Sequence, residues 1–364
     1  MKNPRGESYK YWLYEYEHPS IDSILFHLDS LLRKFKRLKL NIMVIYAARP
    51  LGGLVQEWSP EGFESRITGG HRQDIFTLTV NRDTLEGRIE EKALVLRFGQ
   101  SQIYLLINDY VTGRTNEVLL PFLNAFYPDI ARIYYSSFEL YHILRRLQDK
   151  MEGTSIVLHR STEVEGVGKG RRTTSVSYMS KPFEAIFKSV FDRKVWINNV
   201  LFSVQDWNKS LVFKGYLSKN GRFRCSRSFR TFYEDVIMLA ANMAEEKRNA
   251  FTGRNRTKDH LTPQILQVSY DEEIFDRELT SRFSEILTLL PSSAYSILHK
   301  NPYFHAALLD RLDGSSYDLW IVTPNAIHIV PQLRASVASL SRLVHYIFEN
   351  FREGDIEGYV RSSA

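Results

Sequence analysis

The chain of 364 residues contains one cysteine, Cys225, so it can form neither an intrachain disulfide nor a cysteine-based zinc cluster. That scarcity fits a reducing compartment, and a cytoplasmic protein is expected. Long apolar runs are missing too. The greasiest stretch, residues 41–55, is too short to span a bilayer and is broken by Arg49, Pro50, Gly52 and Gly53. The first residues, MKNPRGESYKYW, lack the apolar core of a secretory signal, so no membrane partner is expected. The ten histidines are scattered without zinc-protease spacing. No serine elbow, paired-carboxylate pattern or cofactor fingerprint occurs, so neither a metal nor a cofactor is expected.

A local absence is more informative. Residues 207–233, WNKSLVFKGYLSKNGRFRCSRSFRTFY, hold seven cations and no carboxylate. The imbalance extends outward: residues 1–164 carry 21 cations and 20 anions, residues 165–233 carry 14 and 4, and residues 259–364 carry 8 and 14. A basic middle beside an acidic end points to a polyanion partner, or to contact between copies of the chain.

Within the basic stretch, two β-patterned runs at 211–218 and 222–227 flank Lys219, Asn220 and Gly221, a hairpin signal. A two-residue loop would mix charged and apolar side chains on both faces of the ribbon. A three-residue loop with Gly221 left-handed separates them: Leu217 pairs with Phe223 and Gly215 with Cys225 on one face, while Tyr216 pairs with Arg224, Ser218 with Arg222 and Lys214 with Ser226 on the other. The outward face is then Lys214, Tyr216, Arg222 and Arg224, suited to phosphates and to stacking under an unpaired base. Arg227 and Arg230 extend it only if the strand ends near Ser226.

Two further basic segments are candidates for the same role. Residues 163–177, EVEGVGKGRRTTSVS, read as a glycine-rich loop carrying Lys169, Arg171 and Arg172. The spacing is not that of a P-loop, because Gly170 rather than Ser or Thr follows Lys169. The segment after Gly253 contributes Arg254 and Arg256, and Arg254 with His260 has a spacing that suits metal-independent RNA cleavage.

Periodicity places helices at 20–38, 116–126, 137–150, 182–191, 232–250 and 333–351, one more with Phe275, Leu279, Phe283 and Leu290 on one side, and strands between them. An α+β fold is expected, with antiparallel sheets and meanders covered by helices. Two similar α+β domains, residues 1–162 and 261–364, would flank a basic middle, residues 163–260, of loop, hairpin and long helix. The leading functional expectation is a non-catalytic nucleic-acid-binding component of an intracellular assembly. Self-association through the basic middle and acidic end, and a metal-independent RNase, are the alternatives.

Overall fold

The computed structural model describes residues 13–14, 20–69, 74–85, 87–109, 117–165, 172–192, 195–254, 256, 264–300 and 303–357. It has an α+β fold, and the chain divides into two compact units, Met1–Val164 with Thr173–Ala244, and Glu165–Arg172 with Glu245–Ala364.

The first unit is built on an 11-stranded sheet in the order β2-β3-β4-β5-β1-β11-β10-β9-β7-β8, with β6 also paired to β1. Its strands are β1 (Leu40–Ala47), β2 (Phe63–Thr68), β3 (Ile75–Thr84), β4 (Gly87–Arg97), β5 (Ile103–Asn108), β6 (Ile130–Arg132), β7 (Ser155–Glu165), β8 (Arg172–Pro182), β9 (Val195–Gln205), β10 (Leu211–Ser218) and β11 (Arg222–Ser226). The hairpin assigned to a middle region by sequence is therefore laid into the sheet of the first unit. Strand β1, nearly all buried, pairs antiparallel with β5 along one edge. Its other edge is shared: β11 takes Leu40 to Met43, and β6 takes Ile45 to Ala47.

The hairpin tip sits at the join. Gly221 O accepts from Val44 N–H at 2.9 Å, and Lys219 O accepts from Tyr135 N–H at 2.7 Å. The β10–β11 register pairs Leu217 with Phe223, Tyr216 with Arg224, Gly215 with Cys225 and Lys214 with Ser226, and Gly221 has φ +66, as the three-residue loop requires.

The helices that follow in chain order are α1 (Ile21–Lys34), α2 (Leu51–Glu57), α3 (Leu119–Ala125), α4 (Ser137–Lys150), α5 (Phe183–Asp192), α6 (Phe229–Phe232) and α7 (Met238–Phe251). On one side of the sheet, Met43 and Ile45 of β1, with Phe76, Leu78, Ala93, Val95, Tyr104 and Leu106 from β3 to β5, pack under α2 and α3. On the other side, Phe213 meets Phe232, and Phe223 meets Tyr135. Phe232 ends α6, which runs through a π turn (Tyr233–Ile237) into α7. Tyr135 precedes α4 and donates from its hydroxyl to Ala240 O at 2.9 Å. Tyr141 of α4 in turn packs on Phe183 and Phe187 of α5.

Two sequence expectations are corrected here. The helix expected at 232–250 starts earlier, because its cap is supplied from far away in the chain: Asp29, in α1, accepts from the N–H of Phe229 at 2.8 Å and of Arg230 at 3.3 Å. The loop expected at 163–177 is strand over much of its length, since β7 runs to Glu165 and β8 starts at Arg172. Its Thr, Ser and Val residues suit an edge strand.

The second unit carries a six-stranded antiparallel sheet in the order β13-β14-β15-β16-β12-β17. These are β12 (Leu266–Ser269), β13 (Ser293–His299), β14 (Phe304–Asp310), β15 (Ser316–Ile321), β16 (Ala326–Pro331) and β17 (Asp355–Ile356), with α8 (Arg277–Thr288) and α9 (Val337–Asn350). Phe283 of α8 contacts Phe304 and Phe351, which seals one side. Asp276 caps α8 by accepting from Leu279 N–H at 2.7 Å. The helix expected from residue 333 begins at Val337, because Ser336 is its N-cap and also donates to Asp313 at 2.6 Å, while Ser339 donates to Asp310 at 2.8 Å. Asp310 and Asp313 thus hold a turn and the start of α9. Among the described residues of the chain, no helix is long and apolar enough to cross a membrane.

Gly221 is a test of the join in β1's partner edge. A Cβ there would lie 2.7 Å from Ile133 O and 3.1 Å from Val44 O, on backbone already at φ +66. Gly221→Ala should lower stability by more than about 2 kcal/mol. Gly62→Ala, at φ +78 with nothing within 4 Å, should cost only about 1 kcal/mol. Urea denaturation of the two variants checks this, and equal losses would contradict it.

Candidate nucleic-acid interface

Alternation along β11 and β10 sorts the hairpin's side chains. Phe223 and Cys225 are 1% exposed, and Gly215 and Leu217 are buried with them on the side of α4 and α6. A Cβ on Gly215 would fall 2.3 Å from the Phe202 ring, so glycine leaves the space that this ring occupies. Burial of the thiol pushes the Cys225 pKa well up, so it is an inert core residue. Arg222, Arg224, Tyr216 and Lys214 are left on the opposite side, half-buried except for Lys214, which is exposed.

Register extends that side in both directions. Asn41 lies opposite Arg224 and Met43 opposite Arg222, so the arginines continue the side of the sheet that α2 and α3 cover over β3 to β5. Across β10, Tyr216 is paired with Leu201 and Lys214 with Ser203. The Arg224 guanidinium lies 5.0 Å from the centroid of the Tyr216 ring, a cation–π contact that ties the two side chains together. His159 Nε2 lies 2.8 Å from Ser203 Oγ. Burial, then the charge of Lys214, lowers the His159 pKa, so the imidazole is neutral at pH 7.

A cation absent from the sequence-derived set joins them. Arg132, the last residue of β6, is exposed and pairs with Ile45, two positions along β1 from the Met43–Arg222 pair. Burial, and after it the charge of Arg132, holds the Arg222 guanidinium below the usual arginine range. Tyr216, and after it Glu91, pull the other way. The Glu91 carboxylate is 1% exposed and is held in place: Asn108 Nδ2 donates to one oxygen at 3.0 Å and Leu119 N–H to the other at 3.2 Å. Arg222 Nε is buried and has no hydrogen-bond partner among the described residues. Nothing local in residues 130–132 signals this role, because only the long-range pairing of β6 with β1 brings Arg132 beside the hairpin.

The remaining candidates are elsewhere. The strand does end at Ser226, and Arg227 follows at φ 82, exposed, donating to Leu211 O at 3.3 Å at the open end of the hairpin. Arg230 is on α6, on the opposite side of the sheet from Arg222 and Arg224, ion-paired with Asp22 at 3.6 Å and Glu234 at 3.4 Å. Lys169 and Arg171 lie outside the described residues, as does the Arg172 side chain. Arg254 and Arg256 belong to the second unit. Arg254 donates to the carbonyls of Ala250 and Ile265, which commits its guanidinium to backbone, and His260 lies outside the described residues. Lys219, at the hairpin tip, is 3% exposed with its ammonium 5.7 Å from the Tyr134 ring centroid, so it is part of the core.

Set against known proteins, the sequence matches no family model and no curated protein.

The depressed His159 pKa gives a pH test. Below about pH 6.5 the unfolded chain takes up a proton at this histidine before the folded one does, so acidification lowers stability. His159→Asn should make the loss of stability on acidification shallower, leaving the part due to His142, which is also lowered by burial and by Arg146. Chemical denaturation at several pH values between about 5 and 7.5 reads this out, and an unchanged pH dependence would contradict it.

Proposed function

We propose that the protein is a non-catalytic nucleic-acid-binding component that takes up a single strand on the side of its large sheet that carries Tyr216. The observation that carries the reading is the grouping of Arg132, Arg222, Arg224 and Lys214 around Tyr216 on one side of β6, β10 and β11. Cations at strand spacing follow a phosphate backbone, and a tyrosine already braced by a guanidinium offers a surface for an unpaired base. The alternating apolar residues anchor this face from below, so its side chains are presented on rigid strands rather than on a mobile loop.

The neutral His159 and buried Ser203 suit a polar floor at the edge of the site, and no attacking group is required of them. A single strand fits better than a duplex, because stacking on Tyr216 needs an exposed base face.

Arg222→Gln with Arg224→Gln should weaken binding of a labelled single-stranded oligonucleotide about 10- to 100-fold near 0.1 M salt and make the slope of log affinity against log salt shallower by about 1.4. Fluorescence anisotropy across a salt series measures both. An unchanged affinity and slope would remove the hairpin face from the account.

A further inference from the structure

Four strands end the two sheets: β2 and β8 in the first, β13 and β17 in the second. An end strand offers a row of backbone groups to any further strand, and proteins blunt such edges with charge, bulges or brevity. Strand β2 is six residues long and carries Glu64 and Arg66, both exposed. Strand β13 shifts register between Ile297 and His299, and β17 is two residues long. Strand β8 differs: it is 11 residues long, and its sequence over residues 173–180, TTSVSYMS, holds no charge and no proline. Its two faces are tied to β7, the strand on its inner side. Arg160 Nε donates to Ser175 Oγ at 2.6 Å on one face, and the Tyr178 hydroxyl donates to Glu163 Oε1 at 2.5 Å on the other. Thr173, Thr174, Ser175, Ser177 and Met179 are exposed, Met179 at 94%, so the strand stands open to solvent.

We propose that β8 is a pairing edge for a second copy of this chain, the two β8 strands running antiparallel about a two-fold axis at Ser177. The strand is complementary to itself in that register. Overlap of all 11 residues is centred on Ser177, which meets its own copy with a small, uncharged side chain. Val176 of each copy falls opposite Tyr178 of the other, which gives two pairs of a β-branched and an aromatic side chain on one face. On the other face Met179 of each copy lies opposite Ser175 of the other. Lys181 falls opposite Thr173, so its charge meets no like charge across the pair. Pro182 has no N–H to donate and ends the ladder. The symmetry makes every favourable contact twice, which an unrelated extended peptide would not do. The pairing relies on backbone hydrogen bonds and uncharged side chains, so it is distinct from any contact between the basic stretch and the acidic end of the chain. It is also independent of the nucleic-acid reading.

Sedimentation of the full chain at concentrations up to about 100 µM should show a species of twice the 42.5 kDa chain mass, and it should persist when salt is raised from about 0.1 M to about 1 M. Ser177→Lys, which sets two ammonium groups against each other at the axis, should weaken the dimer about tenfold or more. Thr68→Lys, at an exposed position on β2, should leave it unchanged. Ser177→Cys reads the register, since Cys225 is buried and the introduced thiols would face each other: mild oxidation should link the two copies covalently. Thr173→Cys should not link them, because its thiols would stand roughly 26 Å apart along the paired strands. A chain that stays monomeric at that concentration overturns the pairing edge. So does a dimer that salt dissociates, or one that Ser177→Lys leaves intact. Equal linking by Ser177→Cys and Thr173→Cys overturns the axis at Ser177.

Discussion

The shared edge of β1 is the constraint on which the first unit depends. A buried strand must find partners for its backbone groups along its whole length, and here two short segments divide the work. β11 satisfies the first half and β6 the second, and the carbonyl of Gly221 takes the N–H of Val44 between them. Only a residue without a side chain fits at that point, since the carbonyls of Ile133 and Val44 close over it. The hairpin tip is in consequence a buried plug rather than an exposed loop, and Lys219 is kept inside with its ammonium against Tyr134.

From this arrangement follows the two-sided character of the sheet. One side of β10 and β11 delivers Leu217, Phe223 and Cys225 to the core, and alternation then obliges Tyr216, Arg222 and Arg224 to stand on the other. That second side is apolar and covered by α2 and α3 over β3 to β5, and it becomes cationic where it passes onto β11 and β10. The end-to-end placement of β6 and β11 also explains why Arg132 comes close enough to depress the pKa of Arg222. Backbone satisfaction is thus the reason that residues far apart in sequence share one charged surface.

Local chemistry was readable from sequence where the determinants are local. The hairpin register followed from the need to keep Leu217 and Phe223 together, and the left-handed Gly221 followed from the loop length. Asp276 at the start of α8 and the pair Asp310 and Asp313 before α9 are capping groups seen in the structure. What escaped depends on contacts far apart in the chain. The cap that starts α6 comes from Asp29, about 200 residues upstream, so periodicity alone drew the boundary too late. Arg132 sits in a three-residue strand within a stretch of balanced charge, and His159 meets Ser203 only through sheet order. Arg230 looked equivalent to its neighbours in sequence, yet the turn after Ser226 carries it to a helix where Asp22 and Glu234 neutralise it.

On the proposed function, a single strand lies across β10 and β11 with a base on Tyr216. Photocrosslinking with a thiouridine-substituted oligonucleotide, followed by peptide mapping, tests it most directly. Crosslinks centred on Tyr216, within residues 211–226, are the expected result. Crosslinks confined to the opposite side of the sheet around Arg230, or to the second unit, would contradict it.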